Sequence, residues 1–489
     1  MANKLNHSIL ESIKQKTPTL PKPLVHSLIY AGAIVIGKGL SLIMVPVSTH
    51  YLSPQDYGRL DVLQTLADLL SIVIGMGLAE TLYRFASSAP NSEEQREAAA
   101  NIFAIALILA GCTFVISQLF ASQIASWLPG NISIVDTRLI LASLAIGGII
   151  LLPMSWLRIT DQAWCFLFCS TTMAGMQVCL GILFLVLGFS VTGILTATLI
   201  ACLSLGCYLV YRQYRDVGCR LNFRLFKKYS AYGGPLVFVG IAGFVLGSFD
   251  RWLLAASIGT AHMAQYALAC KFGLITAVLI QPYDMWWHAK RFQCLQQHNG
   301  REICAKYASI GITIALLSAL FISFTGPVLV RILTPQSYHA SIAYIPYLAM
   351  LAAVHNITAT LSFGMLSANT TWRPAIIDGA AAAIGLIGYL ILIPIWQIWG
   401  AISATAIALI LRLIISYRLS QKTLALPYPN TALLIQTCIA VLTIAWLPNT
   451  ALTVVNLTFS LALLLLFIAS AYRLRLLPIK NRYNSSTRW

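Results

Sequence analysis

Charged side chains interrupt stretches of sequence that are otherwise apolar: Lys38, Asp68, Asp250, Arg251 and Lys271, with His355 and Asn356 as an adjacent polar pair. A charge at the centre of a bilayer costs about 2.5–3.5 kcal/mol on insertion scales, so a charge that persists there faces a cavity or a partner. Lys38 and Asp68 sit midway along successive apolar runs at similar depth, which predicts that they pair. Asp68 shares a helical face with Asp61 and Gln64. Asp250, Arg251 and Lys271 repeat the arrangement later in the chain. An ion pair or network is therefore expected in each half, facing a central cavity. The chemistry open to such groups is binding of ions and polar ligands, with Asp68 and Asp250 as candidates to carry a coupling ion. The competing role is static pairing that holds neighbouring helices together. His355 and Asn356 either line the cavity or bond a neighbouring helix.

Covalent chemistry finds no support. The sequence has no DxD, no Ser/His/Asp constellation and no phosphate-binding G-x-x-x-x-G-K-[ST]. Its 11 cysteines are scattered without metal-ligand spacing and read as small buried apolar residues. No catalytic residue, metal or cofactor is expected. Among other polar groups, Glu80 and Arg84 have i, i+4 spacing for a local pair. Asp378 is placed to meet Arg373 or to snorkel to the inner surface, and Trp286 and Trp287, beside Asp284, are expected as interfacial anchors. Pro46, Pro153, Pro282 and Pro346 fall inside apolar runs and predict kinks.

The elements that position these groups are membrane helices. Of 489 residues 58% are hydrophobic and 10% charged, with mean hydropathy +0.79. A soluble domain carries about 25% charged residues. Nearly the whole chain divides into runs approaching the roughly 20 apolar residues that one spanning helix needs. None shows the in–out alternation of a β-barrel strand. The expected fold class is an all-α polytopic membrane protein with about fourteen transmembrane helices. They fall near 24–50, 58–84, 99–120, 138–160, 163–187, 191–212, 231–255, 263–288, 306–328, 341–366, 374–394, 399–419, 430–447 and 451–472.

The net charge of +17 would suggest nucleic acid in a soluble protein. Here the basic residues sit in short loops on one side, and no nucleic-acid partner is expected. Only Arg59, Arg138 and Arg331 fall in outer loops, and Lys38, Arg251 and Lys271 remain inside spans. This positive-inside pattern places both termini in the cytoplasm and supports an even number of spans. Residues 1–23, with Lys4, Lys14, Lys16, Lys22 and three prolines, read as a cytoplasmic tail without a cleavable signal.

A basic stretch at 213–230, with Arg215, Arg220, Arg224, Lys227 and Lys228, lies midway and reads as a topology anchor or a contact for anionic lipid headgroups. It divides the chain into a lobe at 24–212 (spans 1–6) and a lobe at 231–422 (spans 7–12). Spans 13 and 14 follow at 430–472, then a basic tail at 473–489. The halves echo each other. Span 1 ends in a polar turn from Tyr51 to Gly58 and span 7 in one from Ile258 to Ala267, each leading into Tyr and a small residue. Gly32, Gly37 and Gly39 in span 1 match Gly240, Gly243 and Gly247 in span 7. Trp127-Leu128-Pro129 precedes span 4 as Ile332-Leu333-Thr334-Pro335 precedes span 10. Two repeated six-helix lobes are the pattern of a transporter.

At these residues a family resemblance enters. Leu52-Ser53-Pro54-Gln55-Asp56-Tyr57-Gly58 resembles the L-G-P-E-D-Y-G turn of Wzx-type polysaccharide and O-antigen flippases. These form the polysaccharide branch of the MOP superfamily, which also holds the MATE exporters. Gly75 to Glu80 with Arg84 resembles that family's ending of span 2, and Asp250 followed by Gln265 to Phe272 resembles its span 7–8 pattern. Ser53 departs from the family's usual glycine. The resemblance implies a MATE-like V of two pseudo-symmetric lobes that opens alternately to either side. It implies a lipid-linked oligosaccharide substrate on undecaprenyl pyrophosphate, a multi-pass location in a bacterial inner membrane, and membrane lipids with a glycan polymerase or ligase as partners. Lys38, Arg251 and Lys271 would then attract the anionic headgroup. A monomer is expected, since both lobes lie in one chain. Two other readings stay open: a cation-coupled exporter of small drugs, which would favour surplus carboxylates, and a membrane glycan polymerase or ligase, which the lack of a large outer loop disfavours.

Overall fold

The computed structural model describes residues 22–87, 91–222, 229, 237–366, 372–446 and 454–476. Residues 1–21, the tail beyond 476 and Arg224, Lys227 and Lys228 of the expected basic linker lie outside the described residues.

Wherever described, each of the fourteen expected runs lies on helix. The elements in order are α1 (Lys22–Tyr51), α2 (Pro54–Ser71), a π-helical turn (Ile72–Met76), α3 (Gly77–Ser87), α4 (Ser92–Leu119), α5 (Ala121–Trp127), α6 (Ile134–Ile159), α7 (Ala163–Val186) and α8 (Ser190–Val217). Then come α9 (Val237–Gly247) and α10 (Phe249–Ile258), α11 (Thr260–Leu295), α12 (Gly300–Leu333), a 3-10 turn (Gln336–Ala343), α13 (Ile345–Leu361), α14 (Phe363–Leu366), α15 (Trp372–Thr423), α16 (Asn430–Ala445) and α17 (Val454–Arg473). Among the described residues, nine helices are long and apolar enough to cross a membrane, ten if α9 and α10 form one span bent by 40°. The fold is an all-α polytopic membrane protein, consistent with fourteen spans.

The bent α9–α10 pair and the shorter helices α16 and α17 supply three of the five spans between nine and fourteen, and two further features supply the rest. α15 has 52 residues and breaks at Gln397, where φ is 52° and ψ −123°. At 1.5 Å per residue an unbroken helix of that length would be about 78 Å long, more than twice a hydrocarbon core. Tyr389 bonds Thr405 at 2.8 Å, and Gly388 and Gly385 face Ala404 and Ala408. The two arms are thus antiparallel and hold spans 11 and 12. The second feature is span 2, which carries Arg59, Asp61, Asp68, Glu80 and Arg84 and is too polar to count among the nine.

Within the N-terminal half, α6 packs on α4 and α8, and α7 on α1 and α8. Within the C-terminal half, α12 and α13 pack on each other and on α11, and α15 closes over α13 and α10. α16 and α17 lie against α12. The halves meet through α2, which packs on α11 and α10, whereas α3 packs on α4 and α6 of its own half. The π-helical turn separates these two loyalties of span 2. Inter-lobe contact therefore gathers at one end of the V, the end of the 51–58 and 258–262 turns.

Pro46, Pro153 and Pro282 lie inside α1, α6 and α11. Pro346 instead occupies the first turn of α13, where its missing N–H has no helical partner to lose. Trp286 is half exposed at 42%, but Trp287 is 1% exposed, wedged against Tyr307 and Phe363. Of the two expected interfacial anchors, Trp287 is a core residue.

Candidate functional site

The seam between the lobes starts at the turn after α1. Ser53 caps α2: its Oγ accepts from the Asp56 amide at 3.1 Å and donates to the Asp56 carboxylate at 2.9 Å, with Pro54 opening the helix. This fixes Tyr57 and Gly58 at the start of α2. A Cβ on Gly58 would collide with the Thr260 backbone carbonyl at the start of α11, and one on Gly130 (φ +100°) with the Thr260 side chain. Only glycine lets the lobes approach this closely. The Tyr57 and Tyr338 rings meet edge to face at 5.6 Å, and Tyr338 donates to the Leu52 carbonyl at 3.0 Å. Burial, then Tyr57 and Asp56, pushes the Tyr338 phenol up, so it remains a donor. Trp252 Nε1 donates to the Val62 carbonyl at 3.2 Å. Beneath these bonds Arg251 reaches Asp61 at 3.5 Å across the seam.

Behind Arg251 lies a cavity of about 460 Å³ inside the C-terminal lobe, walled by α9, α10, α11, α13 and both arms of α15. Its polar residues include Asp250, Arg251, Tyr266, His355, Asn356, Asp378 and Arg412. Asp250 and Arg251 follow directly on the break between α9 and α10, so a discontinuous helix presents them to the interior. Tyr266 donates to Asp250 Oδ2, while Asp250 Oδ1 is buried without a hydrogen-bond partner. Arg412 Nε donates to Asp378 at 2.7 Å and its Nη1 lies 3.2 Å from His355 Nδ1.

A second pocket, about 160 Å³, lies in the N-terminal lobe among α1, α2, α7 and α8. Its lining includes Ser41, Ser48, Tyr57, Gln64, Gln177 and Thr198, and Lys271 of α11 reaches into it from the other lobe. The Lys271 ammonium is 3.4 Å from Gln64 Oε1 and 5.4 Å from the centre of the Tyr57 ring. No carboxylate lines this pocket among the described residues.

The expected site residues therefore divide. Asp250, Arg251, His355 and Asn356 share the C-lobe cavity, and Lys271 belongs to the N-lobe pocket. Lys38 and Asp68 are exposed and form no ion pair among the described residues. The expected pairing of Lys38 with Asp68 is corrected accordingly, whereas the C-lobe holds an ion pair, Asp378 with Arg412, in its cavity. Asp61, on the same helical face as Asp68, pairs instead, and its partner is in the other lobe. Asp378 meets Arg412, not Arg373. Arg412 itself lies inside an apolar arm of α15, although the positive-inside pattern placed it with the cytoplasmic basics. A lone arginine in the run Ile407 to Ser416 was the available signal, masked by Arg418 and Lys422 just beyond.

A family model described as polysaccharide biosynthesis protein matches residues 25–286, more than half the chain. The chain belongs to this family. Within the polysaccharide biosynthesis family's matched segment lie residues 25–212 of the N-terminal lobe, the Asp61–Arg251 contact and Lys271, whereas Tyr338 of the seam lies beyond it. Among solved structures, the lipid II flippase MurJ in an inward closed conformation superposes with a TM-score of 0.70 at 13% identity, covering 92% of this chain and 99% of that one. An outward-facing multidrug resistance MATE transporter of the MOP superfamily gives 0.55 at 15% identity, over 81% of this chain and 94% of that one. A MOP superfamily transporter from Pyrococcus furiosus, described as having a binding pocket of reversed polarity, gives 0.52 at 16% identity, over 81% and 95%. These likenesses establish a MOP-type fold. The sequence matches no curated protein.

Proposed function

We propose that this polysaccharide biosynthesis family member is a transporter of lipid-linked oligosaccharide. It moves a repeat unit on undecaprenyl pyrophosphate from the cytoplasmic to the periplasmic face of a bacterial inner membrane by alternating access, supplying cell-surface polysaccharide. The carrying observation is Lys271, a C-lobe ammonium extended into an N-lobe pocket whose other polar groups are hydroxyls and amides and which holds no carboxylate among the described residues. Such a pocket suits a phosphate-type headgroup and disfavours a cation. At about 160 Å³ it takes a headgroup and leaves the sugars to the cleft between the lobes. Lys38 and Asp68, both exposed, would face that cleft, because exposure to lipid would cost each of them about 2.5–3.5 kcal/mol. The chain acts as a monomer with both termini cytoplasmic, beside a glycan polymerase or ligase that takes up the product.

The test is the lipid-linked glycan pool in cells lacking this protein, separated by membrane face. Intact repeat units should accumulate on the cytoplasmic leaflet while surface glycan disappears. Units that reach the outer face normally would reject the glycan substrate. A second reading, export of a small cation through Asp250 and Asp378, would need surplus carboxylates, and in the C-lobe cavity these two are matched by Arg251 and Arg412. In that case drug efflux, not the glycan pool, would respond to loss of the protein.

A further inference from the structure

The contact between Arg412 Nη1 and His355 Nδ1 at 3.2 Å has a chemical consequence. A guanidinium nitrogen can only donate, so Nδ1 must supply the lone pair, and the imidazole in this contact is the neutral tautomer with its proton on Nε2. A proton on Nδ1 would set N–H against N–H and two cations side by side, and the contact could not survive. The other cavity groups are committed differently. Asp378 holds the Arg412 Nε–H at 2.7 Å, and Asp250 holds the Tyr266 hydroxyl on Oδ2 with Oδ1 free of a partner, so a proton on Asp250 need break no bond, whereas a proton on His355 Nδ1 must break the contact with Arg412. His355 is exposed to the cavity. Imidazole is also the side chain whose ordinary pKa, about 6.5, lies in the physiological range.

We propose that His355 is the proton-binding group of this transporter, and that its protonation releases Arg412 within the C-lobe cavity. The charged and titratable groups facing His355 are Asp378 and Arg412 from the two arms of α15, Asp250 and Arg251 from α10, and Tyr266 and Cys270 from α11. On its own helix the polar neighbour is Asn356, and α12 contributes no residue to the cavity wall. A released Arg412 has one other carboxylate in the same cavity, Asp250, whose Oδ1 has no hydrogen-bond partner. Asp250 adjoins Arg251, the residue that ties the lobes together at Asp61. A proton on His355 is thereby linked to the seam, and the alternation of the lobes becomes sensitive to pH.

This inference rests on the transport reading for its second arm alone. In the first arm, the full-length chain labelled with ¹⁵N-histidine is reconstituted in liposomes and followed by NMR from pH 9 to 5, with His355 identified by the signal missing in His355→Gln. The expected result is a neutral ring with bare Nδ1 at high pH and a doubly protonated ring at pH 5. A ring that stays neutral throughout, or carries its neutral proton on Nδ1, overturns the proposal. In the second arm, flipping of a fluorescent polyprenyl-pyrophosphate oligosaccharide is measured in the same vesicles. The wild type should change at least tenfold between pH 8 and 5.5. His355→Gln, which accepts from Arg412 but takes up no proton, should differ less than twofold between pH 8 and 5.5, and so should His355→Lys, which keeps its charge at both. A full tenfold pH response in His355→Gln overturns the coupling. If the wild type flips no lipid at any pH, the transport reading fails, and the NMR arm still decides whether His355 binds the proton.

Discussion

The Asp61 carboxylate and the Arg251 guanidinium come from opposite lobes, stand 3.5 Å apart and are almost wholly buried, at 1% and 10% side-chain exposure. Removing one member of a buried pair leaves an uncompensated charge, at a cost of roughly 3–5 kcal/mol. Asp61→Asn and Arg251→Gln should each destabilise the closed seam by about that amount and cut export at least tenfold. The exchange Asp61→Arg with Arg251→Asp should recover part of the loss. A double-mutant cycle on export at matched protein levels checks this, and strict additivity of the two single effects would reject the cross-lobe pair.

Gly58 tests the closeness of the lobes. Gly58→Ala directs a methyl group at the Thr260 backbone carbonyl, which cannot move without shifting α11. Overpacking of this kind costs about 1–3 kcal/mol. Export should fall sharply while membrane insertion stays normal. Gly32→Ala is the control, because nothing lies within 4 Å of the point a Cβ would occupy there. It should be neutral, or stabilise helix α1 by about 0.5–1 kcal/mol. Equal losses from both variants would argue against a seam built on Gly58.

Lys271 tests the proposed headgroup role of the N-lobe pocket. Lys271→Ala should reduce export at least tenfold and raise the half-saturating concentration of the lipid-linked substrate in vesicles. Lys271→Arg, which keeps the charge, should retain a substantial share of both. Wild-type export by Lys271→Ala at equal protein levels would remove this pocket from the substrate path.

Trp287 and Trp286 are neighbours with opposite surroundings. Trp287→Ala vacates a filled site against Tyr307 and Phe363 and should cost about 3–5 kcal/mol. Trp286→Ala, at a half-exposed position, should cost less than about 1 kcal/mol. Thermal denaturation in detergent separates the two, with a much larger fall in Tm for Trp287→Ala. Similar falls would restore the interfacial role for both.

The sequence by itself determined the solvent of this protein and therefore its class of fold. Apolar runs of spanning length leave helices as the way to satisfy the backbone in lipid, and such runs are local, so they can be counted along the chain. The repeated turns after α1 and α10 were legible for the same reason: a short polar stretch leading into Tyr and a small residue is chemistry of adjacent residues. The sequence also showed that charges at Asp250, Arg251 and Lys271 must face something other than lipid.

Tertiary structure alone decided what they face. Lys38 and Asp68 match in depth, but depth says nothing of rotation about a helix axis, and it was Asp61, on the same face, that met a partner. That partner came from the other lobe, 190 residues away in sequence, and no local pattern encodes a pairing across such a separation. Arg412 stood close enough to Arg418 and Lys422 to pass for a cytoplasmic anchor, until the break at Gln397 folded its arm back and set it between Asp378 and His355. Helices follow from neighbouring residues in a sequence, whereas a cavity is made by faces brought together, and which faces meet is settled only when the helices pack.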